Sequence, residues 1–403
     1  MSYIMRFLWG AAAVFLATGI QPAAAKLNSC DGPITLGTTI SQTGRFSTLA
    51  GRWTQMTKAF ENEINKGGGI FLKSCNKKVP IRFVIYDDQS VPATAVSLYE
   101  KMASVDKVDL FVGPDWSALG FPVAQVSARH KIPTVMANVA SPKVYKQGIR
   151  YIFGTPFPSV PRWSERYFDM LKTVDPKPKT IFWVIHDNFV TKAIVGVWEK
   201  KANAQGIKTV GKEIFSPETK DFSGIILKIK AARPDIIYVS SFDSVSIPLM
   251  QQMRQLRVHA MDVHHVMATG SLARLLGGDL EGVSGEIPWH QSMKGGTYRD
   301  LTVRVLKAAG IDMFDYIWTM GRMASYLVMV QAIERAGVVD REKIRDVLAE
   351  GTFGTPAGDI KFSKIGLARA TAYTEQIQKG KPVIVWPRNR ATGKLIWPAP
   401  SWQ

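Results

Sequence analysis

Cysteine is nearly absent: Cys30 and Cys75 are the only two in 403 residues. If they pair, no thiol remains to act as a nucleophile. Acidic residues are also scarce, 33 Asp and Glu against 51 Lys and Arg. Gly-x-Ser-x-Gly, His-Glu-x-x-His and a P-loop are all missing, which removes the usual sequence grounds for a hydrolase, a metallopeptidase or a nucleotidase. Among six histidines, His264 and His265 are adjacent on an expected strand, point to opposite faces and cannot readily clasp one metal. No catalytic residue, cofactor or metal is therefore assigned. The basic surplus is dispersed, with Lys73, Lys77 and Lys78 its densest group and no RNA-binding signature, so nucleic acid is excluded as a partner. A solvated basic surface that steers an anionic ligand or docks on a membrane partner fits better. After the first twenty residues, no window reaches the 18 or more apolar residues that a membrane span requires.

The opening residues set the compartment. Arg6 is the only charge before Lys26, an apolar run extends from Phe7 to Ile20, and Ala23-Ala24-Ala25 supplies a cleavage signal. Together they read as a signal peptide over residues 1–25, which sends the mature chain to the periplasm. The remaining 378 residues (403 − 25) exceed what one hydrophobic core usually serves, so two domains are expected. Removing Arg6 leaves 50 cations against 33 anions, a net charge near +17. Cys30 directly precedes a strand, Ile34 to Ile40, and Cys75 precedes a second expected over Val79 to Tyr86. Both fall at the amino end of neighbouring strands in an oxidising compartment, and a structural disulfide is expected. A lipid anchor at Leu27-Asn28-Ser29-Cys30 is the competing reading, weakened by Asn28 and by an apolar run that ends well before it.

The chain is organised around Val108-Asp109-Leu110-Phe111-Val112-Gly113-Pro114-Asp115-Trp116-Ser117-Ala118. An apolar run ends in Gly-Pro, and Leu119, Val123 and Val126 then recur at helical spacing, so a buried strand, a tight turn and a helix start are expected. Such a turn at the carboxyl end of a parallel strand offers free helix N–H groups and a hydroxyl to a small polar or anionic ligand. Ser117 can equally be a plain N-cap.

Around that stretch, strands alternate with helices. Trp53, Met56, Phe60 and Ile64 share one helical face; Ile81 to Tyr86 runs into Asp87-Asp88; Ile132 to Met136 follows as a fourth strand. The pattern restarts with Thr180 to Ile185 before His186-Asp187-Asn188, continues through strands at Val210–Phe215, Asp235–Ser240 and Met261–Met267, and is a topological rather than a sequence repeat. The extended, Pro-punctuated segment from Tyr151 to Pro158 reads as a crossing between the two sets. Residues 296–337 read as two helices, the second apolar enough to cover the first sheet, and short strands follow Gly354. The expected fold is α/β, with two doubly wound parallel-sheet lobes joined by a multi-crossing hinge. The expected boundaries are 26–153 plus 289–353 for one lobe and 154–288 plus 354–403 for the other.

By this point the residues resemble a family. Gly37-Thr38-Thr39-Ile40-Ser41-Gln42-Thr43-Gly44, Glu63-Ile64-Asn65-Lys66-Gly67-Gly68-Gly69, Tyr86-Asp87-Asp88, Val112-Gly113-Pro114, Lys131-Ile132-Pro133 and Asp221-Phe222-Ser223 fall in the order and spacing of the branched-chain amino-acid type periplasmic binding proteins of ABC importers. The resemblance covers nearly the whole mature chain. It implies a Venus-flytrap fold, a ligand carboxylate held by a Ser after the Val-Gly-Pro strand and a Thr after the next strand, and an acid of the second lobe on the ammonium. Ser117 matches the first position. Ala140 stands where the Thr is expected and Thr269 where the acid is expected, which counts against an ordinary aliphatic amino acid.

Aromatic residues at strand ends offer a replacement: Phe46, Trp53, Trp116, Phe242 and Trp289, about half of which are expected to be core. The candidate contacts are Phe46, Trp116, Ser117, Ala118, Asn138 and Ala140 from the first lobe, and Asn188, Phe242, Asp243 and Thr269 from the second. A planar or apolar acid or amide, anchored by Ser117 and held between rings, is expected. If Asp243 supplies the missing acid, an amine-bearing ligand returns. The resemblance implies a monomeric transport receptor whose partners are a permease and its ATPase subunits. A sensor or accessory module of a periplasmic signalling or oxidation system is the alternative.

Overall fold

In the computed structural model residues 30–400 are described except 156, 157, 267, 268 and 315, with Phe189, Asp243, Ser244, Thr269, Ser271, Gly278 and Asp279 described by backbone alone. The expected signal peptide lies outside the described residues. Strand β1 (Ile34–Ile40) leads through a one-turn helix, α1 (Ser47–Ala50), into α2 (Trp53–Lys66), which buries Trp53, Met56 and Phe60. A hairpin of β2 (Ile70–Leu72) and β3 (Lys77–Val79) follows, then β4 (Ile81–Asp87) and α3 (Pro92–Ser104). Next come β5 (Leu110–Val112), α4 (Ser117–His130), β6 (Thr134–Ala137), α5 (Pro142–Tyr145) and β7 (Ile152–Thr155). These strands pair in the order β4-β1-β5-β6-β7, all parallel.

The second set opens with α6 (Glu165–Leu171), β8 (Thr180–His186), α7 (Phe189–Ala204) and β9 (Lys208–Phe215). It continues with α8 (Ser223–Ala232), β10 (Ile236–Ser240), α9 (Asp243–Gln255), β11 (Asp262–His265), α10 (Thr269–Leu276) and β12 (Ser284–Ile287). The chain then returns: α11 (Arg299–Ala309) packs on α2, α12 (Thr319–Ala336) covers β6 and β7, and α13 (Arg341–Glu350) packs on α12. After a small ribbon of β13 (Thr352–Phe353) and β14 (Ile360–Lys361), strands β15 (Tyr373–Gln378) and β16 (Lys381–Trp386) join the second sheet antiparallel, in the order β16-β15-β12-β11-β10-β8-β9. The backbone thus passes between the sheets three times, a two-lobed Venus-flytrap architecture. No described helix is long and apolar enough to cross a membrane.

One expected strand divides. Pro80 has no N–H to donate, so Lys77–Val79 pairs with Ile70–Leu72 and the sheet strand begins at Ile81. Cys75 therefore sits in a hairpin turn, where it is disulfide-bonded to Cys30 with the Cα atoms 5.8 Å apart. Helix α12 is apolar all round and buried from Thr319 to Ile333, as such a helix must be. It lies so close to the first sheet that a Cβ at Gly321 would come within 2.2 Å of Asn138 Oδ1 and 3.0 Å of the Thr155 carbonyl oxygen.

The second lobe buries a polar network beneath α6. Tyr167 and Ser284 donate to Asp262 Oδ2 at 2.7 and 2.6 Å, and Ser164 donates to Glu286 at 3.0 Å. Because Ser284 spends its proton on Asp262, His264 Nδ1, 2.8 Å from Ser284 Oγ, is the donor there. The His264 ring stacks on Tyr167 at 3.5 Å between centroids. Burial pushes the Asp262 carboxyl up to about 6 and the Glu286 carboxyl well above the carboxylate range, while burial and the neighbouring His265 hold His264 well below its ordinary value.

Opening the disulfide frees a loop with a sequence separation of 45, which by chain entropy should cost about 4 kcal/mol. The C30S/C75S variant should show that loss in urea unfolding with ligand affinity unchanged. His264 titrates in the unfolded chain near pH 6.5 and lower when folded, so its stabilising contribution is present above about pH 6.5 and is lost as pH falls. Asp262 and Glu286 act in the opposite sense, losing their contribution as pH rises through their folded values, and remain in an H264Q variant. The stability advantage of wild type over H264Q should therefore shrink below about pH 6.5, by at most about 1.4 kcal/mol per pH unit.

Candidate functional site

The site grows from the carboxyl ends of β1, β5 and β6. Gly113, just past β5, has φ +98°, and a Cβ there would come within 3.0 Å of both Thr38 Oγ1 and the Tyr99 hydroxyl, so glycine is required. Two residues on, Asp115 is 2 % exposed and forms an ion pair with Arg322, which is fully buried in the first turns of α12. Arg322 Nη2 donates to Thr38 Oγ1 at 2.7 Å and to the Thr39 carbonyl at 3.1 Å, and its Nε donates to the Tyr326 hydroxyl at 2.9 Å. Asn138, after β6, donates to Asp115 Oδ1 at 2.9 Å and to the Trp318 carbonyl at 3.0 Å. Burial pushes the Asp115 carboxyl up against the pull of the guanidinium. Burial would lower Arg322, but Asp115 and Tyr326 hold it above its ordinary value.

The loop after β1 is fastened separately. Thr39 and Ser41 donate to buried Asp88 at 2.7 and 2.6 Å, and Asp87 accepts from the backbone of Gln42 and Thr43. Those two carboxylates, which close β4, fix the loop that carries Phe46.

On this frame stands a series of aromatic rings. Trp116 adopts φ +66°, costly for a bulky residue, and is the N-cap of α4. Its ring is 4.8 Å from Phe46 and 5.8 Å from Trp53, both stacked, and meets Trp318 edge-on at 5.9 Å. Trp318 in turn meets Trp163 at 5.8 Å, and the Trp163 indole N–H donates to the carbonyl of Val266 beyond β11 at 2.9 Å. The series therefore runs from the first sheet to the second. The Trp116 indole N–H is buried without an acceptor, a donor left for a ligand.

The other expected residues are placed as follows. Ser117 is the first residue of α4 rather than its cap; its hydroxyl accepts from Ser141 N–H at 3.1 Å, which ties the β5 and β6 loops and leaves its proton to donate. Ala118 is exposed and Ala140 half-buried. Asn138 is turned inward to the ion pair. In the second lobe Asn188 caps α7 through Val190 N–H, and Phe242 packs edge-on against His186 at 5.6 Å. The side chains of Asp243 and Thr269 lie outside the described residues. Trp53 and Trp289 are fully buried, and Trp53 donates to Thr319 at 3.0 Å. Asp115, Arg322, Trp318 and Trp163 were not among the expected residues. Arg322 had a signal, being the only charge between Tyr316 and Ile333. Among the described residues no group of three His, Cys, Asp or Glu is placed to hold a metal.

A profile of the periplasmic binding protein family matches residues 33–381. The chain belongs to this family. It is similar to the leucine-, isoleucine-, valine-, threonine- and alanine-binding protein of Pseudomonas aeruginosa, 26% identical over 313 residues, 75% of this chain and 79% of the relative. Among solved structures it is similar to a leucine binding protein from Thermotoga maritima, at TM-score 0.69 and 17% identity over 87% of this chain and 97% of the other. It is also similar to a solute binding protein of an ABC transporter from Rhodopseudomonas palustris in complex with 3,4-dihydroxy benzoic acid, at TM-score 0.69 and 16% identity over 91% and 96%. It is a periplasmic binding protein of the branched-chain amino-acid type, whose relatives bind solutes for ABC importers.

Replacing Asp115 by Ala strands a buried guanidinium and should cost about 3–5 kcal/mol in urea unfolding, while D115L/R322L, which removes both charges, should lose less.

Proposed function

We propose that the protein is a periplasmic receptor that closes its lobes on a small aromatic carboxylic acid or amide and delivers it to the permease and ATPase subunits of an ABC importer, without chemistry on the ligand. The observation that carries this reading is the series Phe46–Trp116–Trp318–Trp163, which lines strand ends beside Ser117 and bridges two sheets. A planar ligand slotted beside these rings gains stacking and burial, and its carboxylate has the α4 N-terminus, the Ser117 hydroxyl and the Trp116 N–H as donors. Ala140 and Thr269 replace two of the groups that the resemblance assigns to an amino-acid ligand. The Rhodopseudomonas neighbour's aromatic acid and the Pseudomonas relative's amino acids share the carboxylate that this arrangement suits. The lobes are proposed as 26–153 with 289–353 and 154–288 with 354–403, β7 extending two residues further into the first. The monomer and the cleaved leader over residues 1–25 belong to the same proposal.

Titration calorimetry with benzoate, 4-hydroxybenzoate, benzamide, leucine and valine tests it. An aromatic acid or amide should bind, and W116A should weaken it about tenfold or more. Binding of leucine or valine with no response to the aromatic compounds would overturn the reading.

A further inference from the structure

A cavity lies on the flank of the first lobe, and none of the aromatic series lines it. Its volume is about 700 Å³, and it forms where the loop Ser363–Gly366 folds over β7, the edge strand of the first sheet. The Gly154 N–H donates to the Gly366 carbonyl at 2.8 Å, which fastens the loop to the strand. Opposite stands α13, with Arg345 and Ala349 facing the space. The cavity opens beside the residues that lead into β7, whereas the aromatic site is built at carboxyl ends.

Its charge is one-sided. Lys146, Arg150, Arg345 and Lys364 line it, against the single carboxylate of Asp346. Arg345 is only 7 % exposed and ion-pairs with Glu342 and Asp346 through Nη2, but its Nε is buried and has no acceptor. Lys146, Arg150 and Lys364 are exposed and make no ion pair with any described residue. Four lining cations against one lining carboxylate raise the local potential for an anion, and an unsatisfied guanidinium N–H costs free energy until an acceptor arrives. The walls between the charges are apolar, formed by Ile149, Phe153 and the exposed Ile365. The space falls in the size range of small-molecule sites and exceeds what a bare inorganic ion fills.

We infer that this flank pocket is a second ligand site, separate from the proposed transport site, and that it takes a small organic oxyanion, a phosphate ester or carboxylate, with its head on Arg345, Lys146 and Lys364 and its apolar body against Ile149, Phe153 and Ile365. Guanidinium geometry suits either head group.

The test is titration calorimetry at about 0.15 M salt, where diffuse surface attraction is screened. Phenyl phosphate and phenylacetate represent the two heads, and inorganic phosphate is the bare anion. At least one of the aryl probes should bind the flank pocket with a dissociation constant below about 1 mM, phenylacetate being titrated into W116A because an aromatic carboxylate is also a ligand of the proposed transport site, and inorganic phosphate should bind about tenfold more weakly or worse. That binding should persist in W116A, which disables the proposed transport site. It should fall about tenfold or more in K146E/K364E and in A349W, which fills the pocket without altering its charge. Conversely, K146E/K364E should leave benzoate binding at the aromatic site intact, so failure of either site is read separately. No heat from either aryl probe overturns the inference. Equal binding of inorganic phosphate overturns it by showing an adventitious ion only. Loss in W116A, or retention in both pocket variants, overturns it as well.

Discussion

The buried pair of Asp115 and Arg322 is the interaction on which the first lobe's geometry depends. Removing two charges from water costs several kcal/mol each, and the pair recovers it only because every arm has a partner. One carboxylate oxygen meets the guanidinium and the other meets Asn138, while the guanidinium also reaches Thr38, the Thr39 carbonyl and Tyr326. Those partners come from the loops after β5 and β6, from β1 and from α12, so one constellation locks four segments that are remote in sequence. Trp116 directly follows Asp115, and Trp318 precedes Arg322 by four residues. The same lock thus sets the positions of both rings.

The second lobe solves its polar core differently. Asp262, Ser284 and His264 form one hydrogen-bonded chain and Glu286 accepts from Ser164 beneath α6, without a permanent cation among them, and burial disfavours the charged forms of His264 and Glu286. Acid reaches the first lobe's lock through the Asp115 carboxyl alone, which burial pushes up, because the guanidinium keeps its proton throughout. The second lobe's network answers to pH through Asp262, His264 and Glu286 together. The two lobes therefore differ in the conditions under which they loosen.

Much of the fold was legible in the residues, for physical reasons. Periods of two and of 3.6 mark strands and helices whenever one face is buried, and β1, α2, β5, β8 and α12 follow such patterns closely. The disulfide was legible from compartment and position. The hairpin of β2 and β3 was not, because three-residue strands carry too little periodicity, and Pro80 as an interruption is recognisable only once the pairing is known. The site was half legible. Strand-end position pointed to Trp116 and Phe46, but Trp163 and Trp318 are brought beside them by chain crossings that no local pattern encodes. Asn138 illustrates the other limit: its place after β6 is readable, whereas its turn inward depends on a carboxylate 23 residues earlier and a carbonyl 180 residues later.

The aromatic series also makes the protein its own optical gauge. Trp116 and Trp318 pack with the first sheet's residues, while Trp163 is fastened to Val266 of the second set, so the contact between Trp318 and Trp163 is the one that the proposed lobe opening would part. Indoles at such spacing exchange excitation energy and couple their electronic transitions. An opening of the lobes, as the proposed function requires, would therefore change emission polarisation and near-ultraviolet dichroism with no added label.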